Sequence, residues 1–248
     1  MLSEANSHPR DNLITFEESN HQYTIQNNEC KPTSVTTLIH KFFPEFNADL
    51  IISKMMKSKN WPNSKYFGMT PKEIKDLWEK NRDEAANLGT KMHANIENYF
   101  NGLEHFTDTK EFSLFQDFWT NFCKINSTLT PYRTEWVVYD EECKIAGSID
   151  FVLKNQRDEL VLIDWKRSKE IKKENRFQKG LPPFQEYDDC NYNHYRLQLN
   201  FYRHILETKY NQKIAGMLIV VLHPNQDKYQ CHHVDKIELG PVWKSLNN

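Results

Sequence analysis

An α/β fold with a helix-rich first half follows from how the apolar residues are spaced along the chain. Residues 35–43, 70–86, 90–100 and 112–122 carry helical spacing. After residue 130 the period changes, and 135–139, 145–153 and 160–166 read as three successive strands. A helix over 195–206 and two strands at 217–222 and 229–234 complete the order. We expect a mixed central sheet flanked by helices, in one domain spanning 1–248. A flexible lead over about 1–12 and a mobile basic loop over about 168–193 belong to that expectation.

The chain has 248 residues, enough to bury a core without disulfide or metal staples. Apolar residues are 38% and charged residues 27%, and the 13% aromatic content argues against disorder. The longest apolar run, 217–222, is far too short to span a bilayer, so no membrane partner is expected. A secretory signal or an organelle transit peptide is not expected from the first residues, where Glu4 and Asp11 stand and no basic patch leads an apolar run. The five cysteines, Cys30, Cys123, Cys143, Cys190 and Cys231, form no Cys-x-x-Cys pair. They read as free thiols in a reducing, intracellular compartment rather than as zinc or iron–sulfur ligands.

The helices have readable ends and faces. Residues 13–17 and 21–25 form a short hairpin, and Pro32-Thr33-Ser34 leads into the 35–43 helix, which stops before Pro44. Residues 54–65, rich in lysine around Trp61-Pro62, read as a loop. Thr70-Pro71-Lys72-Glu73 is a helix start, with Thr as cap and Glu three residues on. Leu88-Gly89-Thr90 reads as a break between two helices. Phe112, Phe115, Trp119 and Phe122 make an aromatic stripe of core type.

Three segments carry chemistry. Strand side chains alternate, so Asp164 and Lys166 share one face and Ile163 and Trp165 the other. Asp150 sits in an apolar strand, where a carboxylate is costly unless paired or bound to a metal. Two such acids on neighbouring strands repel unless a cation lies between them, and Mg²⁺ suits oxygen ligands of this kind. Lys166 would then orient or deprotonate a water or stabilise phosphate charge. Asp-x-Lys alone reads as a plain ion pair; the second acid upstream makes the pattern specific. On the early helix, Gly89, His93 and Glu97 form an i, i+4 stripe that aims His93 and Glu97 together. On the later helix, Gln198 and Tyr202 share a face, one turn beyond Tyr195.

A basic run starts at the same strand end. Residues 166–179 hold seven cations, Lys166, Arg167, Lys169, Lys172, Lys173, Arg176 and Lys179, against Glu170 and Glu174. The chain as a whole is balanced, with 32 basic and 34 acidic residues and a net charge of −2. Such a run matters only beside an active site, where it can contact phosphates. Phe177, Phe184 and Tyr187 in the same loop can stack on unpaired bases, although ordinary loop packing is the simpler reading.

Taken in order, Gly89/His93/Glu97, Gly147/Asp150, Asp164/Lys166 and Gln198/Tyr202 resemble the motifs of the PD-(D/E)xK nuclease superfamily, in its RecB-like exonuclease branch of phage, viral and mitochondrial type. The resemblance covers about 13–235. It implies a restriction-endonuclease-like core and Mg²⁺ or Mn²⁺ held by His93, Asp150, Asp164 and the Trp165 carbonyl. Lys166, Asp164, Asp150 and Glu97 would form the catalytic set. Gln198, Tyr202, Tyr195, Arg167, Lys169, Lys172 and Lys173 would serve the nucleic acid. Whether Glu97 or Glu135 is the supporting acid stays open. No iron–sulfur arrangement accompanies the motifs. The activity implied is a DNA exonuclease acting on single strands or free ends. An endonuclease on RNA or structured DNA, and a binding module of the same fold without chemistry, are the alternatives.

Overall fold

The computed structural model describes residues 1–20, 22–26 and 31–246. The chain divides into two compact units, one of residues 1–44 with 92–248 and one of residues 45–91.

The larger unit is built on a six-stranded mixed sheet. Strand β4 (Thr130–Asp140) pairs antiparallel with β5 (Ile145–Lys154), which turns back into β6 (Leu160–Lys166). A crossover through helix α6 (Asn191–Lys209) brings β7 (Ile214–Val221) parallel to β6, and β8 (Gln230–His233) closes the far edge antiparallel to β7. The two-residue strand β3 (Thr33–Ser34) lies parallel to the start of β5, against Ile145 and Ala146. β1 (Ile14–Glu17) and β2 (Gln22–Ile25) form the separate hairpin expected from sequence; His21 and Cys30 lie outside the described residues. The mixed sheet between helices agrees with the fold class the sequence predicts.

Strand alternation gives the sheet two cores. On one face Leu162, Val152, Ile219 and Val221 pack with Leu197, Phe201 and Ile205 of α6. On the other, Phe151, Ile163, Trp165 and Val220 pack with Met92 and Ile96, and with Phe112, Phe115 and Phe118 of helix α5 (Lys110–Ile125). A polar anchor closes the first core. Buried Asp140 accepts the Trp243 indole N–H at 2.7 Å, tying down helix α7 (Gly240–Leu246), an element the sequence reading did not anticipate.

Several boundaries differ from expectation. The early helices are α1 (Leu2–Ala5), α2 (Val35–His40), α3 (Ala48–Met56) and α4 (Pro71–Phe100). Helix α4 runs unbroken through Leu88-Gly89-Thr90, where a break was expected. A helical glycine costs only about 1 kcal/mol relative to alanine, small against thirty residues of continuous hydrogen bonding. The start at Thr70 has the expected capping box: Glu73 accepts the Thr70 N–H at 2.7 Å. Part of the expected 54–65 loop is helical, because Asn47 caps α3 by accepting the Leu50 N–H at 2.9 Å. The lead over 1–12 is tied down rather than free: Asp11 accepts from Arg133 at 2.7 Å and from the Trp136 indole at 2.9 Å. Residues 168–190 carry little regular structure but are pinned at Asn175, whose amide donates to the Asp189 carbonyl at 2.7 Å.

Candidate active site

The site begins where two strands stop pairing. The β5–β6 ladder runs from Lys154↔Leu160 to Phe151↔Ile163 and ends there. In this register Asp150 and Asp164 are the next opposite pair. In place of a backbone bond, the Trp165 N–H donates to Asp150 Oδ2 at 2.8 Å. Beyond that point β6 follows β7 up to Lys166↔Val221, while β5 pairs on that edge with β3 only at its first two residues. The strands therefore part around the two aspartates.

The third acid comes from the other side of β5. Thr134 pairs with Phe151 and Trp136 with Ile149, so Glu135 stands across from Asp150. Glu135 has φ 42°, in the left-handed region that a glutamate occupies at a cost of order 1 kcal/mol. Its Oε2 accepts from the Ser148 hydroxyl at 2.8 Å. His93, on α4, lies between these acids: its Nδ1 is 3.6 Å from Glu135 Oε1 and 3.7 Å from Asp150 Oδ1. Its Nε2 N–H donates to the Trp165 carbonyl at 2.9 Å. Among the described residues, His93, Glu135 and Asp150 form the group whose ligand atoms all lie within 4.8 Å of one another.

Asp164 and Lys166 share a face, as strand alternation requires, and turn toward α6. The Lys166 ammonium donates to Asp164 Oδ1 at 2.8 Å and to the Gln198 amide oxygen at 3.2 Å, and lies 4.7 Å over the Tyr195 ring. Gln198 is oriented in turn by its amide N–H, which donates to the Tyr202 hydroxyl at 3.3 Å. Asp164 is 2% exposed, yet its Oδ2 is buried without a hydrogen-bond partner.

The electrostatics follow from burial and crowding. Burial pushes the Asp150 carboxyl above its ordinary range; His93 and Lys166 oppose this, and the charges of Asp164 and Glu135 add to it. Asp164 is raised by burial against the pull of Lys166. Burial works to lower the His93 imidazole, but Asp150 and Glu135 outweigh it and lift it to about 9. Lys166, against its burial, is raised by Asp164 and Asp150 and stays an ammonium. The donor set suits a divalent cation. It offers carboxylate, carbonyl and imidazole donors around a negative pocket, and Asp164 Oδ2 is a buried oxygen left for a partner.

Several sequence-predicted residues take other positions. Glu97 is not in the His93 cluster; its Oε1 meets the Thr134 hydroxyl at 3.4 Å, and Glu135 takes the place beside the imidazole. The reason is the left-handed turn of β4, which no strand periodicity reveals. Tyr202 is 3% exposed and cannot touch a nucleic acid. A Cβ on Gly147 would sit 2.7 Å from the Tyr202 ring, so the glycine makes room for the ring that supports Gln198. Arg167 is spent on a half-buried pair with Glu111 at 2.7 Å. Tyr195 is half-buried with Lys166 over one ring face. Lys169, Lys172 and Lys173 are exposed. Thr134 and Ser148, which hold Glu97 and Glu135, carried no sequence signal; both become visible only from the β4–β5 register.

Residues 72–240 match the PD-(D/E)XK nuclease superfamily. The chain belongs to that superfamily. PD-(D/E)XK nucleases use divalent metals, and the pocket of His93, Glu135 and Asp150 is this chain's candidate for one. No curated protein matches the sequence. The solved structure of SSO0001 is similar at 15% identity, over 99% of this chain and 78% of that one, with a TM-score of 0.35, a likeness too low to carry an argument. Among the described residues no helix is long and apolar enough to cross a membrane.

Two outcomes follow. Gly147→Ala drives a methyl into a buried ring and should cost about 1–3 kcal/mol, read as a lower urea midpoint at unchanged slope. In chelator, His93 should stabilise the fold fully below about pH 6.5 and lose that contribution as pH rises through about 9. The difference in urea midpoint between wild type and His93→Asn should therefore shrink across that window. A constant difference would contradict the assigned environment.

Proposed function

We propose that this PD-(D/E)XK protein is a metal-dependent deoxyribonuclease, working as an exonuclease with Mg²⁺ or Mn²⁺. The observation that carries the reading is the placement of Lys166 between Asp164 Oδ1 and the Gln198 amide oxygen, on the face to which Asp150 also belongs. A bound divalent cation supplies an activated water and neutralises phosphate charge. His93, Glu135, Asp150 and Asp164, with the Trp165 carbonyl, would hold it.

The chain's own residues divide the remaining work. Lys166, held between Asp164 and Gln198, would orient the water or stabilise the charge developing on the phosphate. Gln198 and Tyr195 fix its position, and Tyr202, seated on Gly147, fixes Gln198. Exposed Lys169, Lys172 and Lys173 offer phosphate contacts that do not depend on sequence. The order of motifs from Gly89 to Tyr202, resembling the RecB-like branch, favours DNA and attack from an end.

End-labelled linear and closed circular DNA, with Mg²⁺, Mn²⁺ or chelator, test this. Linear DNA should be degraded only with metal, and circles should survive. Lys166→Ala and Asp164→Ala should each lower the rate at least a hundredfold while the circular dichroism spectrum stays that of wild type. Full activity in either variant removes the mechanism, and cutting of circles removes the exonuclease assignment.

A further inference from the structure

Three aromatic residues between Ser168 and Cys190 have the chemistry to stack on a base, and the fold separates them. Phe184 is buried at 3% exposure, edge-on to Phe42 at 5.0 Å. Tyr187 packs on the same core, with the Arg196 guanidinium 5.4 Å from its ring. Phe177 is 95% exposed, the most exposed of the chain's large apolar side chains among the described residues.

The turn that presents Phe177 is fixed from below. Asn175 accepts the Phe177 N–H at 3.0 Å and the Gln178 N–H at 3.3 Å through its side-chain oxygen. Its own backbone N–H donates to Asp188 Oδ2 at 3.0 Å, and its side-chain amide donates to the Asp189 carbonyl at 2.7 Å. The Asp189 N–H donates to the Gln178 carbonyl at 2.9 Å. The same loop is rooted at the start of α6, where the Lys172 N–H donates to Asn191 Oδ1 at 2.8 Å, four residues before Tyr195. Phe177 is thus held in water on a pinned turn, when a flexible loop would have let it fold down onto apolar surface.

The surroundings set the chemistry of the partner. Lys172, Lys173, Arg176 and Lys179, all exposed, share its stretch of chain, against Glu174. A lone aromatic ring amid cations does not suit an apolar protein groove. It suits a polyanion that carries flat, apolar rings, which is a strand of nucleic acid with unpaired bases; in a duplex the ring faces are already stacked.

We propose that Phe177 is a base-stacking residue for an unpaired strand, and that the loop makes this protein prefer single-stranded nucleic acid or frayed ends over intact duplex. The inference rests on the nucleic-acid substrate of the function proposed above, but not on its chemistry. It makes Phe177 a specificity residue on the loop that follows Lys166, apart from the residues that hold that lysine.

The test uses the full chain in chelator, so that no strand is cut. Oligonucleotides carrying a single 2-aminopurine are titrated as single strand and as duplex, and stacking is read by fluorescence quenching. Wild type should quench the single strand and bind it more tightly than duplex. Phe177→Ala should lose the quenching and about tenfold in single-strand affinity, with duplex affinity and melting temperature unchanged, and Phe177→Trp should restore both. Lys173→Ala with Arg176→Ala should weaken single strand and duplex alike and flatten the salt dependence. Equal single-strand binding by wild type and Phe177→Ala overturns the proposal, as does a wild type that binds no oligonucleotide. Stacking without cleavage on restoring metal would overturn the nuclease reading and leave this one standing.

Discussion

The parting of β5 and β6 at Asp150 and Asp164 is the constraint on which the site depends. An antiparallel ladder that continued would spend this stretch on backbone hydrogen bonds and press two carboxylates together. Here the ladder ends at Phe151↔Ile163, and the Trp165 N–H finds Asp150 Oδ2 instead. The same divergence lets β6 follow β7 toward Lys166, while β5 runs back to β3. Where an apolar sheet would otherwise be closed, the side chains at the parting are the charged ones.

Charge at the parting is counted in favour of a cation. Three carboxylates, Asp150, Asp164 and Glu135, face one ammonium and one imidazole. Burial raises both aspartates and their mutual repulsion is only partly offset. His93 responds by holding its proton, and one oxygen of Asp164 remains buried without a partner. A structural ion pair would satisfy both oxygens of a buried aspartate; here one oxygen of Asp164 stays without a partner. The left-handed Glu135 adds a backbone cost that its hydrogen bond from Ser148 and its approach to His93 help to offset.

Much of this was legible in the sequence, for reasons of period. Strand alternation alone puts Asp164 with Lys166 and Ile163 with Trp165, and the two cores lie as that alternation requires. Asp150 stands out because a carboxylate has no reason to sit among Ile149, Phe151 and Val152. Helical spacing places Gln198 one turn before Tyr202. What escaped depended on partners distant in sequence or on dihedrals. Arg167 looked free because its partner, Glu111, is 56 residues away. Glu135 could not be preferred over Glu97, because only its φ and the hairpin register bring it to His93. Gly89 looked like a break because a local penalty is visible in sequence and the cooperativity of a thirty-residue helix is not. Phe177 and Phe184 look alike in a loop sequence, and only folding sends one to the core and the other to solvent.

Manganese binding followed by electron paramagnetic resonance tests the central claim most directly, since it reports the ion with no substrate present. Wild type should take up Mn²⁺ at a saturable site, with proton release as His93 gives up its charge. Asp150→Asn, which keeps the shape of the side chain and its acceptor for the Trp165 N–H, should lose that site. Undiminished uptake by Asp150→Asn would contradict the account, because the parted strands would then have no cation to explain them.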